Sequence, residues 1–63
     1  MPIVHAQIVS GRSGAQKRRL IEEVSAAVVR ALDVPLDTVR VLVSEVEPEC
    51  WGVGGVPKGP VRD

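Results

Sequence analysis

The stretch LIEEVSAAVVRALDVPLDTVRVLVSEV, residues 20–46, changes its hydrophobic period partway along and so decides the fold. In its first half Leu20, Ile21, Val24, Ala27, Val28, Ala31 and Leu32 recur at steps of three and four, which puts them on one stripe of a helix. Lys17, Arg18, Glu22, Glu23 and Arg30 fall largely outside that stripe. In its second half residues 38–46, TVRVLVSEV, are β-branched and apolar and read as a strand. Asp33-Val34-Pro35 ends the helix between them, because proline disfavours a helical conformation in the residue before it.

Upstream, residues 2–9 (PIVHAQIV) read as a first strand. Val4, Ala6 and Ile8 share one face, wholly apolar and suited to meet the helix; Ile3, His5, Gln7 and Val9 share the other, mixed face, suited to meet another subunit. Residues 10–14 are a loop, and Ser13 with Gln16 three residues later is a capping-box signature that starts the helix near Gly14. Downstream, GVGGVPKGPVRD is rich in Gly and Pro and reads as turns and a short hairpin. The fold class is therefore α/β: a single β-α-β unit over residues 1–63, with two parallel strands, a right-handed crossover and a short C-terminal hairpin. Such a unit leaves sheet edges and a sheet face open, so it is expected to be assembled as an oligomer.

Composition points the same way. A chain of 63 residues, 44% of them apolar, has more apolar surface than one thin layer can hide. Small scaffolds rely on disulfides, a metal or association. Cys50 is the only cysteine and His5 the only histidine, which leaves association. Lys plus Arg and Asp plus Glu balance at eight each, whereas a nucleic-acid binder shows a basic excess. The run Lys17-Arg18-Arg19 is followed at helical spacing by Glu22 and Glu23 and reads as a solvated helix face. No apolar stretch approaches the roughly 20 residues that span a membrane, and the start lacks a signal-peptide pattern, so a cytoplasmic protein without membrane association is expected.

Chemistry is carried by few residues. Pro2 follows Met1, and an initiator methionine is removed before a small residue such as proline; the mature chain would then begin with a secondary amine. A free α-amino group titrates at about 7.7–8.0, and apolar burial or nearby cations lower that value. A base poised near neutrality suits proton abstraction beside a carbonyl. Were Met1 retained, the Pro2 nitrogen would be an amide without basicity. Arg12, after the first strand, and Arg40, near the start of the second, carry forks that bind carboxylates and stabilise developing oxyanions. In a parallel pair both strand starts lie at one end, and Arg12 lies roughly 25–30 Å beyond Pro2. A site using both must be shared between subunits. Trp51, the only aromatic, suits the wall of an apolar pocket or a packed interface. Cys50 reads as a small packed residue and His5 as an interface side chain. Gly52-Val53-Gly54-Gly55 neither follows a strand nor opens a helix, so it is turn chemistry and not a phosphate loop.

In combination these pieces resemble the 4-oxalocrotonate tautomerase family. The resemblance rests on Met1-Pro2-Ile3, Gly11-Arg12-Ser13, Leu20-Ile21-x-Glu23-Val24-Ser25, Leu32-Asp33-x-Pro35-Leu36, Val39-Arg40-Val41 and Gly52-Val53-Gly54-Gly55, in order along nearly the whole chain. It implies a β-α-β subunit assembled as a homohexamer, a trimer of dimers, with neighbouring chains contributing to each site. It implies a cofactor-free isomerase in which the Pro2 amine is the general base for enol–keto interconversion of small unsaturated 2-oxo acids such as 2-hydroxymuconate. Arg12 would hold the distal carboxylate, Arg40 the 2-oxo or enol oxygen and nearby carboxylate, and Val9 and Trp51 would line the pocket. No metal or organic cofactor is expected.

The sequence also departs from that pattern. Trp51 stands where the best-known members carry Phe, narrowing the pocket, and Val9 is smaller than the leucine often found there, partly compensating. Pro57 and Pro60 interrupt the tail, where proline cannot donate to a strand ladder, and Arg62 is given no role. Two other readings remain: a hydratase or dehalogenase on unsaturated carboxylates, for which Glu47 or Glu49 would have to turn inward, and a non-catalytic subunit of a mixed oligomer. The enzyme readings differ in titration. A base needs the Pro2 amine below the ordinary α-amine range and an acid needs it above, so ¹⁵N NMR titration of the processed chain separates them, with the lowered value expected.

Overall fold

The computed structural model describes residues 1–59. Strand β1 (Ile3–Val9) leads through a loop into helix α1 (Gly14–Leu32), and strand β2 (Arg40–Val46) follows. A hairpin of β3 (Gly52–Val53) and β4 (Val56–Pro57) closes the described part. β1 and β2 pair in parallel from Ile3 opposite Arg40 to Val9 opposite Val46. The β-α-β reading therefore holds, as does the short hairpin.

Local chemistry fixes the helix ends. Ser13 caps the start: its Oγ accepts from the Gln16 backbone N–H at 3.1 Å, while Gln16 Oε1 accepts from the Ser13 N–H at 3.0 Å. That reciprocal pair satisfies two donors the helix leaves open. At the other end Asp33 adopts a left-handed conformation (φ 55°) and donates its N–H to the Val29 carbonyl at 2.9 Å. Aspartate tolerates this region better than most residues because its short polar side chain bonds locally.

β2 begins two residues later than the β-branched run predicts. Leu36–Thr38 form a short 3₁₀ turn, in which Thr38 donates both its N–H (3.1 Å) and its hydroxyl (2.7 Å) to the Pro35 carbonyl. The ladder has no partner strand before Ile3, so local bonding wins there. A second 3₁₀ turn, Pro48–Cys50, was not legible in the sequence.

Val4, Ala6 and Ile8 are half-buried beneath the helix, as the alternation predicts, while Ile3, His5 and Gln7 are exposed. Lys17 on the helix pairs with Glu45 on β2 at 2.8 Å, with each side chain about one-third exposed. A pair so open contributes at most about 1 kcal/mol. The apolar stripe meets the sheet only in part: Leu20, Val24 and Val28 are half-buried, whereas Ile21 and Leu32 are exposed. Neighbouring strands lie about 4.8 Å apart, so two strands form a narrow support and a wide helical stripe overhangs it. On the other sheet face Ile3 (67% exposed) and Leu42 (50%) flank His5, whose Nε2 lies 2.6 Å from Ser44 Oγ. No described side chain is fully buried in the isolated chain.

The hairpin turns at Gly54 (φ 60°) and Gly55 (φ 85°), between the paired residues Val53 and Val56. Two successive positive φ angles are what a two-residue hairpin loop of the I′ type demands, and glycine meets them without strain. Pro57 lies opposite Gly52 in this edge pair, where a missing N–H is tolerated. Pro60 and Arg62, named from the sequence, lie outside the described residues.

Asp33→Gly relieves the left-handed strain at the helix end. It should raise stability by about 0.5–1 kcal/mol in urea unfolding, with the slope unchanged.

Candidate active site

The parallel pairing divides the sequence-predicted residues between the two ends of the sheet. At the starting end, the Arg40 N–H donates to the Pro2 carbonyl at 3.0 Å, which joins the two chain segments just ahead of the ladder. Pro2 is half-buried and Met1 is 80% exposed. The Arg40 fork is held from behind: Nη1 donates to the Asp37 carbonyl at 2.8 Å and reaches the Val39 carbonyl at 3.4 Å. A guanidinium has five N–H donors in a rigid plane. Committing the Nη1 pair to backbone orients the plane and leaves the Nη2 and Nε donors for a ligand oxygen. The 3₁₀ turn before β2 supplies this anchor, since Asp37 lies within it.

At the finishing end lie Arg12, Val9 and Trp51. Arg12 is exposed and lines a hollow of about 410 Å³ between the end of β1 and the first turns of α1, with Ile8 and Leu20 as its apolar floor. Gln16, Lys17, Arg19 and Glu23 also reach that hollow. Trp51 is half-buried beside a second hollow of about 220 Å³ shared with Gln7, Val46, Cys50 and Gly52. Val9 does not line it directly but pairs with Val46, which does. Among the described residues, no carboxylate lines the Trp51 hollow.

β1 spans seven residues, or roughly 23 Å, so Arg12 cannot reach the Pro2 of its own chain. The structure thus puts Pro2 and Arg40 at the starting end and Arg12, Trp51 and Val9 at the finishing end, where Arg12 and Trp51 line separate hollows. Among the described residues no three His, Cys, Asp or Glu side chains stand close enough to hold a metal ion. No helix among them is long and apolar enough to cross a membrane.

Sequence reading passed over Gln7 and Cys50 as members of the Trp51 hollow. Gln7 was legible in one respect: it shares the Val9 face at strand spacing. Cys50 was not, because its position depends on the 3₁₀ turn of Pro48–Cys50.

A family model described as "Tautomerase enzyme" matches residues 2–60. The β-α-β chain thus belongs to the tautomerase family, a class of isomerases. Within that class it falls with the 4-oxalocrotonate tautomerases. It is 45% identical over 62 residues to a 2-hydroxymuconate tautomerase of Pseudomonas sp. strain CF600, covering 98% of each chain. To a 2-hydroxymuconate tautomerase of Pseudomonas putida it is 47% identical over 62 residues, again with 98% of each covered. Its fold is similar to that of a heterohexamer 4-oxalocrotonate tautomerase from Chloroflexus aurantiacus J-10-fl, with a TM-score of 0.91, 40% identity, and 98% of this chain and 100% of that chain covered.

The tail positions Trp51. Lys58 donates its N–H to the Trp51 carbonyl at 2.7 Å, and Gly59 donates to the Pro48 carbonyl at 3.1 Å. A Cβ on Gly59 would overlap the Pro48 ring at its Cβ. Gly59→Ala should therefore shift the fluorescence maximum of Trp51, the chain's sole aromatic, while far-ultraviolet circular dichroism keeps its helical signal.

Proposed function

We propose that this isomerase interconverts the enol and keto forms of small unsaturated 2-oxo acids, 2-hydroxymuconate among them, with the amine of Pro2 as general base once Met1 is removed. The observation that carries the reading is the backbone bond from the Arg40 N–H to the Pro2 carbonyl, which sets Arg40, its guanidinium anchored on the Asp37 carbonyl, next to the residue that would bear the amine. The 45–47% identity to 2-hydroxymuconate tautomerases over nearly the full chain supports the same substrate class.

The steps follow from the chemistry of these groups. The neutral secondary amine takes the enol proton as the 2-oxo group forms, then returns it to carbon along the conjugated chain. The proton balance closes on the substrate, so the net change is isomerisation. The free donors of Arg40 stabilise negative charge on the 2-oxo oxygen as it develops, and its cationic charge favours the uncharged amine. Arg12 holds the distal carboxylate, while Trp51 and Val9 exclude water from the apolar middle of the substrate. Among the described residues, none lining the Trp51 hollow carries the carboxylate that the hydratase reading needs to activate water.

The complete site takes its distal half from a second copy. When two sheets run antiparallel, the starting end of one meets the finishing end of the other, which brings Pro2 and Arg40 of one copy toward Arg12 and Trp51 of its neighbour. The half-covered helix stripe and the exposed Ile3 and Leu42 supply apolar area for such contacts. A homohexamer built as a trimer of dimers satisfies both demands. A free, exposed Cys50 suits a reducing compartment, and the cytoplasm is proposed as the location.

Ultraviolet-monitored ketonisation of 2-hydroxymuconate tests the reading, using protein whose intact mass shows loss of Met1. Rapid turnover is expected, and Pro2→Ala should lower it by about 10²-fold or more. Arg40→Ala should lower kcat by about 10²–10³-fold, whereas Arg12→Ala should act mainly on KM. Absence of turnover by the processed wild type would remove this substrate. Association should also show in unfolding: the midpoint rises with protein concentration, as it does whenever folding and assembly are linked.

A further inference from the structure

Gln7 lies on the outward face of β1, opposite Ser44 and two residues before Val9. Its side chain is exposed and makes no hydrogen bond among the described residues. It nevertheless lines the hollow of Trp51, with Val46, Cys50 and Gly52 as the other walls. Among the described residues no charged side chain lines that hollow, and there the Gln7 carboxamide is its strongest hydrogen-bonding group. A carboxamide offers two N–H donors and one acceptor oxygen. A ligand lying against Trp51 strips water from this amide and must return an oxygen to it.

Resting on the tautomerase reading above, we propose that Gln7 is a specificity-determining residue that donates a hydrogen bond to the distal carboxylate of an unsaturated dicarboxylate. Arg12 and the Trp51 hollow both stand at the finishing end of the sheet, Arg12 in a neighbouring hollow of its own, and the substrate half bound at that end is the one remote from Pro2 and Arg40. Arg12 supplies charge and Gln7 a neutral donor of fixed position on a strand. A monocarboxylate dienol, which ends before this hollow, gains nothing from Gln7. The residue therefore separates long dicarboxylates from short monocarboxylates and leaves the proton transfer at Pro2 untouched.

Kinetics with Gln7→Leu test the assignment. A hydrogen bond to a carboxylate is stronger than a neutral one, so kcat/KM for 2-hydroxymuconate should fall roughly 10- to 100-fold, through KM. The same dienol shortened to a monocarboxylate, 2-hydroxypenta-2,4-dienoate, should react as with wild type. Equal losses on both substrates, or no loss on either, would overturn the proposal.

A second arm needs no turnover. The chain has no asparagine and only Gln7 and Gln16 as glutamines, so ¹⁵N-labelled protein shows two side-chain amide pairs. Gln16 accepts the Ser13 N–H at its Oε1 in the helix cap and borders the Arg12 hollow. Titration with adipate, an unreactive dicarboxylate, should move the Gln7 pair, which is identified as the pair missing from the Gln7→Leu spectrum. A Gln7 pair that stays fixed, whatever the Trp51 indole signal does, sinks the proposal. If wild-type protein turned over neither dienol, the tautomerase reading would fail by itself, and the amide titration would still decide whether Gln7 meets a carboxylate.

Discussion

Everything in this chain depends on the parallel pairing of β1 with β2. Seven residue pairs, from Ile3–Arg40 to Val9–Val46, put both strand starts at one end and both finishes at the other. The helix exists to make that pairing possible, since parallel strands need a crossover. The pairing also divides the chemistry. Pro2 and the anchored Arg40 share one end; Arg12 and the Trp51 hollow share the other. Neither end holds both arginines. The separation is set by the length of a strand, which side-chain motion cannot span.

The thinness of the unit has the same origin. One helix over two strands offers support about as wide as the helix itself. Leu20, Val24 and Val28 find the sheet, but Ile21 and Leu32 overhang it, and the opposite sheet face presents Ile3 and Leu42. These exposed groups and the divided site call for the same remedy, a second copy laid alongside. In this reading, assembly stabilises the fold and completes the chemistry through one set of contacts.

Short-range bonds then refine what the ladder sets. The 3₁₀ turn at Leu36–Thr38 fixes the Arg40 fork through Asp37, so the guanidinium is oriented before a ligand arrives. Preorganised donors need little rearrangement as charge develops, which is where electrostatic stabilisation gains its effect. At the far end the Gly54-Gly55 hairpin returns the tail to Trp51 and Pro48. The ring's position thus depends on glycines several residues beyond it.

Periodicity and capping chemistry made the elements legible in sequence. Steps of three and four marked the helix, Ser13 with Gln16 marked its start, and alternation marked the inner face of β1. The wide separation of Arg12 from Pro2 also followed, because strand rise and parallel order fix it. These are local or one-dimensional properties, and sequence alone determines them. Tertiary structure alone decided where β2 begins, how Arg40 is anchored, which half of the apolar stripe finds cover, and that Gln7 and Cys50 share a hollow with Trp51. Each of these turns on what stands opposite a residue in space. The opposing groups come from distant parts of the chain, and hydrophobic patterning carries no record of which of them will meet.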